Sequence, residues 1–107
     1  MKKDRLTIFK NSTLNLDYVN FEGTRYYTLK SFRLNLIEEN LILSTQQLKL
    51  LVHSTNLFVL QPPKINYRTS LITKQGLMQL IFSKKLYLKT NYLRSLAPKI
   101  VILTDND

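Results

Sequence analysis

The chain has 107 residues, with 16 Lys and Arg against 7 Asp and Glu, one His and no Cys. Without cysteine it has no disulfide, thiolate nucleophile or cysteine zinc site, and one histidine cannot form a multi-histidine metal centre. With 44% apolar and 21% charged residues, this length favours a single domain, residues 1–107, that buries roughly 65% of the surface of the unfolded chain.

The opening of the chain is predicted to form a β-hairpin. Apolar and polar residues alternate in Leu6–Phe9 and in Leu14–Val19, which is the period of half-buried strands. Asn20–Gly23 is typical of a turn, because Gly23 can adopt a positive φ. Thr24–Thr28 is rich in β-forming residues and would return as the partner strand.

Two short helices are predicted next. Ser31 is suited to cap the first one, which would run through Glu38 or Glu39 with Phe32 and Leu36 on one face. Ser44-Thr45-Gln46-Gln47 has the form of a capping box. The apolar stripe of the second helix would then comprise Leu48, Leu51 and Val52.

Helix-breaking prolines precede the next predicted helix, and a capping residue starts it. A short apolar run, Leu57–Leu60, stops at Gln61-Pro62-Pro63. Thr73 follows the apolar pair Leu71-Ile72 and is a good cap for a helix over Lys74–Phe82. Its core-facing stripe would be Leu77, Leu80 and Ile81.

The end of the chain is predicted to add a helix and a strand. Ser83-Lys84-Lys85 would start the helix and Pro98 would end it, with Leu88, Tyr92, Leu93 and Leu96 facing the core. Ile100–Leu103 is apolar and β-branched, which favours an edge strand. A hairpin, a small antiparallel or mixed sheet and several short helices without βαβ alternation indicate an α+β fold.

The net charge of +9 is concentrated in one part of the chain. Residues 1–39 carry 7 bases and 5 acids, whereas Asn40–Thr104 carry nine bases and no acid. A field of one sign repels itself unless a partner neutralises it, although a basic surface also serves solubility alone. Nucleic acid is the first candidate partner and a membrane the second. The longest unbroken apolar stretches, Leu57–Leu60 and Ile100–Leu103, have only four residues each, and the chain start lacks a signal-type apolar region, so we expect a soluble intracellular protein.

Catalytic chemistry finds little support in the sequence. Glu38 and Glu39 are adjacent, so on a helix their side chains diverge by about 100° and fit a solvated helix end. His53 fits a helix C-terminus, where its charge would favour the dipole. The phosphate-loop, zinc-protease and serine-hydrolase motifs are absent from the sequence. We therefore expect no enzyme, no cofactor, and no catalytic or metal-binding residue.

Contacts to a nucleic-acid backbone are better supported. Lys84, Lys85 and Lys89 would lie along one helix whose start at Ser83 leaves backbone N–H groups free for a phosphate. The other candidate contacts are Lys74, Arg68, Lys64 and Arg94, with Tyr67 placed to stack on a base. Most of the other tyrosines are expected in or beside the core. Lysines outnumber arginines 11 to 5, which favours phosphate contact over base reading and indicates modest sequence specificity.

Residues 71–84, Leu-Ile-Thr-Lys-Gln-Gly-Leu-Met-Gln-Leu-Ile-Phe-Ser-Lys, resemble the signature of the Bro amino-terminal domain. The later Pro98 and Ile100 are similar to the Pro and aliphatic residue that close the family's last helix. Asn20–Tyr27 resembles its opening hairpin, and Ser31 stands where a helix-starting Asp is usual. The resemblance implies an α+β DNA-binding domain of a large DNA virus or phage, active in the host nucleus or cytoplasm, with DNA favoured over RNA.

A protein-interaction module is the alternative. As a viral accessory factor, the chain would present its basic face to an acidic host or viral protein. Ile100–Leu103 would then suit strand addition to a partner or to a second copy, because an exposed apolar edge is a template for pairing. Lysine-rich surfaces serve either kind of partner, so the sequence leaves both open.

Overall fold

The computed structural model describes residues 7–52, 57–59 and 70–103 of the chain. The fold is α+β, as the sequence predicts, and its sheet is antiparallel throughout. Within these ranges, five strands lie in the order β1-β2-β3-β5-β4. Their bounds are Phe9–Asn11 for β1, Leu16–Phe21 for β2, Thr24–Thr28 for β3, Leu57–Val59 for β4 and Ser70–Ile72 for β5.

The hairpin prediction is confirmed at β2 and β3. The two strands pair from Phe21 and Thr24 outward, with Tyr18 opposite Tyr27. The turn residues Glu22 and Gly23 both have positive φ, 50° and 79°, as a two-residue type I′ turn requires. The preceding strand begins at Phe9, later than the expected Leu6–Phe9, and residues 1–6 lie outside the described part of the chain.

The first helix, α1, spans Leu29–Ile37, and Ser31 is not its cap. Thr28, the last residue of β3, is extended and its Oγ1 accepts the Ser31 N–H at 3.3 Å. The Ser31 hydroxyl instead accepts the Asp17 N–H at 3.0 Å, so it ties the helix to β2. Phe32 and Leu36 share the buried face as predicted.

The second helix, α2, spans Thr45–Lys49 and has the predicted capping box. The Ser44 Oγ accepts the Gln47 N–H at 3.1 Å, and the Gln47 Oε1 accepts the Ser44 N–H at 2.7 Å. The helix is shorter than its apolar stripe suggested. Leu48 is fully buried, whereas Leu51 and Val52 lie beyond the helix and pack against the core from its rim.

The third helix, α3, spans Lys74–Phe82 exactly where the sequence places it. The Thr73 hydroxyl accepts the Gly76 N–H at 3.3 Å, which confirms the predicted cap. The stripe of Leu77, Leu80 and Ile81 is fully buried. The helix ends at Ser83, whose backbone is extended.

The predicted helix starting at Ser83 is wrong. Ser83–Leu88 is a 3-10 segment, broken where Lys84 and Lys85 adopt left-handed φ angles of 49° and 56°. Helix α4 begins later, after the extended cap residue Thr90, and spans Asn91–Ile102. Leu88 is therefore outside the last helix and exposed, while the other predicted core residues are buried or half-buried: Tyr92, Leu93 and Leu96.

Helix α4 also corrects two expectations about the end of the chain. It continues through Pro98, although proline cannot donate the hydrogen bond that the Arg94 carbonyl would accept. The predicted edge strand Ile100–Leu103 is wrong, because Ile100 continues the buried helical stripe of Leu93, Leu96 and Ala97. Packing thus overrides β-propensity here. A homodimer by strand addition at these residues has no strand to use.

One face of the sheet carries the core. Leu16, Tyr27 and Ile72 lie on that face and pack against buried side chains of α1, α3 and α4. Helices α3 and α4 form an antiparallel helical hairpin, in which the Lys74 ammonium at the start of α3 donates to the Leu103 carbonyl at the end of α4. The molecule therefore has a sheet end, where α3 starts and α4 stops, and a turn end, where the 3-10 segment joins them.

Candidate nucleic-acid interface

The turn end presents three lysines, Lys84, Lys85 and Lys89, here named the turn lysines. All three side chains are exposed. Within residues 7–52, 57–59 and 70–103, none of their ammonium groups has a hydrogen-bond or ion-pair partner. These positive charges are consequently available to an external anion.

The backbone beneath the turn lysines is strained. Left-handed φ angles at two consecutive residues with Cβ atoms, Lys84 and Lys85, cost about 1–2 kcal/mol each. Such strain persists only where the surrounding packing holds it, and it is concentrated at functional sites. Here the fully buried Ile81 precedes the turn and the buried Leu86 follows it, so both sides of the turn are anchored in the core.

Of the other predicted contacts, the structure separates Lys74 from the turn lysines. Lys74 is half-buried and lies at the opposite end of α3, a helix about 13 Å long. Its ammonium group donates to the Leu103 carbonyl there. Arg94 is exposed near the turn end, but its guanidinium folds back to donate to the Asn91 Oδ1 at 2.8 Å. Lys64, Tyr67 and Arg68 lie outside the described residues.

The predicted phosphate site at a helix start is wrong, because no α-helix starts at Ser83 and the helix start nearby is occupied by a carboxylate of the protein itself. Ser83 is the C-cap of α3 and opens the broken 3-10 segment rather than an α-helix. The nearby helix start, that of α4, already holds an anion: the Glu39 carboxylate accepts the N–H groups of Asn91 and Tyr92 at 2.7 and 2.8 Å. Glu39 is thus not a solvated helix end. A carboxylate is favoured there because the N-terminal end of a helix carries partial positive charge.

The sheet end carries cations that sequence reasoning missed: Lys10, Arg25 and Lys99 join Lys74, and we name these four the sheet-end cations. Lys10 and Lys99 line a cleft of about 450 Å³ that also contains Tyr18. Arg25 and Lys74 line a second cleft of about 370 Å³. Lys10 and Arg25 belong to the nearly balanced first third of the chain, so charge counting alone could not single them out. Only the fold brings Lys10 beside the end of α4 and Arg25 beside the start of α3.

Internal contacts engage most of the sheet-end cations. The Arg25 guanidinium carbon lies 4.2 Å from the centroid of the Tyr18 ring, and its Nε approaches the Asn20 Oδ1 at 3.4 Å. The Lys99 ammonium approaches the Thr13 carbonyl at 3.4 Å. With Lys74 on the Leu103 carbonyl, three of the four cations contact groups of the protein itself.

Most of the described tyrosines pack in or beside the core, as expected, whereas Tyr26 is half-buried outside the core cluster. Tyr27 is fully buried, and Tyr18, Tyr87 and Tyr92 pack against the core cluster. The Tyr92 hydroxyl donates to the Leu14 carbonyl at 2.9 Å. Burial raises the pKa of Tyr92 above its ordinary value, against a smaller opposing effect of the hydrogen bond with Asn35, so this hydroxyl remains a protonated donor.

The described residues show no group of three His, Asp or Glu side chains placed to hold a metal ion. In the same part of the chain, no helix is both long and apolar enough to cross a bilayer.

No family model matches the chain, and no curated protein or solved structure matches it either. The resemblance to the Bro amino-terminal domain therefore stays a prediction that depends on the residues quoted above.

Proposed function

We propose that the protein binds nucleic acid, with the turn lysines contacting the phosphate backbone. The observation that carries this proposal is the group of three exposed ammonium groups, at Lys84, Lys85 and Lys89, without partners in the described residues. Phosphates are the anions that such point charges bind well, and most protein contacts to DNA go to the backbone.

The proposed ligand is DNA, bound with modest sequence specificity. DNA rather than RNA follows from the resemblance of residues 71–84 to the Bro amino-terminal signature. Lysine ammonium groups lack the bidentate geometry with which arginine reads guanine, so backbone contact supplies the affinity and the bases add little. The protein would act in this way without catalysing a reaction, as a DNA-binding protein of a virus or phage.

Salt dependence tests this proposal directly. Labelled duplex and single-stranded DNA are titrated with the whole chain at about 50 and about 200 mM salt, because each phosphate contact on duplex DNA adds about −0.9 to the slope of log K against log salt. Binding that weakens steeply with salt supports the proposal. Absence of binding at both salt concentrations, or affinity indifferent to salt, contradicts it.

A further inference from the structure

An apolar pocket lies beside the turn lysines. Its volume is about 240 Å³, and leucines from the loop before α2, from the residues after α2 and from the 3-10 segment form its walls: Leu43, Leu50, Leu51 and Leu86. Leu86 is 5% exposed at the base, whereas Leu50 is 86% exposed. Exposing a large aliphatic side chain beside such a pocket is costly in water, so this surface is suited to an apolar ligand.

Positive charge borders the same pocket. Lys84 and Lys89 belong to its lining, and the sequence has no acid between Asn40 and Thr104 to neutralise them locally. Little else in the lining is polar. Gln47 has its side-chain oxygen engaged by the Ser44 N–H in the capping box, which leaves Ser83 as the other polar residue there.

We propose that this pocket binds an apolar side chain of an acidic amphipathic segment from a partner protein. Leucine walls accept an aliphatic or aromatic side chain, and carboxylates beside it on the same segment would meet the ammonium groups of Lys84 and Lys89. The pocket is below the roughly 300–1,000 Å³ of sites for small molecules and cofactors, which fits one anchoring side chain.

The lining favours a peptide over an unstacked nucleobase. Single-stranded nucleic acid gains its affinity from bases stacked on aromatic rings, and no aromatic residue lines the pocket among the described residues. A base would also place its hydrogen-bonding edge against leucine, which leaves polar groups unsatisfied. This peptide site goes beyond the proposed DNA binding. Because Lys84 and Lys89 would serve both ligands, DNA and the acidic segment should compete.

The test uses a fluorescent helical peptide with leucines at positions i, i+4 and i+7 and glutamates beside them. Two twins accompany it, one with lysine for each glutamate and one with serine for each leucine. Burying a leucine is worth about 1.5–3 kcal/mol, so each protein variant that removes the apolar wall should lower the affinity for the acidic peptide by about tenfold or more. We expect the lysine and serine twins to bind weakly or not at all.

The informative protein variant is Leu50→Asp, with Leu50→Ser as its uncharged companion. Leu50 is almost fully exposed, so neither change should disturb folding, which circular dichroism and thermal unfolding will verify. Ile102→Asp is the matched control, since Ile102 is 78% exposed at the sheet end. We expect loss of peptide binding in both Leu50 variants, little change in Ile102→Asp, and an unchanged salt slope for DNA in Leu50→Ser.

Other outcomes overturn the peptide site. Equal peptide binding by Leu50→Asp and Ile102→Asp would place the segment elsewhere, and equal binding of the lysine twin would remove the role of Lys84 and Lys89. If the peptide fails to bind and Leu50→Ser instead weakens oligothymidine, the pocket holds a base. Failure of DNA binding with retained peptide binding would refute the proposed function and leave this site standing.

Discussion

The two ends of the α3–α4 hairpin use positive charge in opposite ways. At the sheet end, Lys74 and Lys99 donate to backbone carbonyls and Arg25 stacks on Tyr18. At the turn end, Lys84, Lys85 and Lys89 have no partner within the described ranges. Cations engaged inside the protein stabilise the fold, whereas cations without internal partners repel one another until a ligand neutralises them. The count of charges is similar at the two ends, but their availability differs.

The carboxylate of Glu39, at the turn end, does not neutralise the turn lysines. Glu39 lies near the start of α4, yet its carboxylate accepts two backbone N–H groups instead of pairing with a lysine. The start of α4 is thereby neutralised, and the turn lysines are not. This arrangement gives the turn end a net positive field that an external polyanion can satisfy.

The largest effect should come from removing the turn lysines together. In Lys84→Gln/Lys85→Gln/Lys89→Gln, three lost phosphate contacts should flatten the slope of log K against log salt by about 2.7, so raising salt from about 50 to about 200 mM costs the wild type about 40-fold more affinity than the variant. Fluorescence anisotropy with duplex DNA measures this.

The matched control removes three exposed lysines outside the turn end. Lys10→Gln/Lys30→Gln/Lys99→Gln carries the same net charge as the triple turn variant. Its salt slope should stay closer to that of the wild type, because the long-range effect of net charge is screened over about 7–14 Å in this range of salt. Equal flattening in both triple variants would show that total charge, rather than the turn end, governs binding.

Lys74 should behave as a structural cation. Lys74→Met keeps much of the side-chain stem but removes the donor to the Leu103 carbonyl, and it should lower the free energy of unfolding by about 1.5 kcal/mol, since hydrogen bonds from charged groups contribute about 1.5–3 kcal/mol. Urea denaturation measures the loss. Lys30→Met, on the exposed surface of α1, should leave stability nearly unchanged. A fall in DNA affinity without a fall in stability would reassign Lys74 to the interface.

Glu39 should have a smaller structural effect. In Glu39→Gln the amide oxygen can accept only one of the Asn91 and Tyr92 N–H groups, which Oε1 and Oε2 of the carboxylate accept separately, and the charge at the start of α4 is removed, so the change should cost about 1 kcal/mol. Glu38→Gln is the neighbouring control, because Glu38 is exposed. Urea denaturation at low salt compares the two, and equal stabilities would mean that the charge of Glu39 contributes nothing to α4.

Local signals in the sequence predicted most of the elements. The hairpin turn at Gly23, the capping box at Ser44 and the cap at Thr73 are each encoded within a few residues, and all three are confirmed. The α+β class follows from those elements. The errors fall where a local sequence signal competes with tertiary structure. The sequence pattern assigns the cap of α1 to Ser31, but the cap is Thr28, three residues earlier, at the end of β3.

The candidate site was harder to predict because it depends on an irregular turn. The apolar spacing fits a continuous helix from Ser83 to Pro98. Neither Lys84 nor Lys85 is a Gly or Asn, the residue types that usually indicate left-handed backbone, so the sequence does not predict the turn. Lys84, Lys85 and Lys89 are exposed, as contact with an external phosphate would require. Their separation from Lys74, and the engagement of Arg25 with Tyr18, depend on long-range packing that charge counting does not contain.

The strained turn offers the finest distinction between structure and binding. Lys84→Gly relieves a left-handed φ at the cost of glycine's greater chain entropy, so stability should rise by about 0.5 kcal/mol while DNA affinity falls. Lys89→Gly removes the same charge at an ordinary φ of −85°, so its stability should fall by about 0.5–1 kcal/mol. Urea denaturation and DNA titration of both variants check this. If Lys84→Gly loses stability as Lys89→Gly does, the turn is not strained; if it gains stability and keeps its affinity, Lys84 is not a DNA contact.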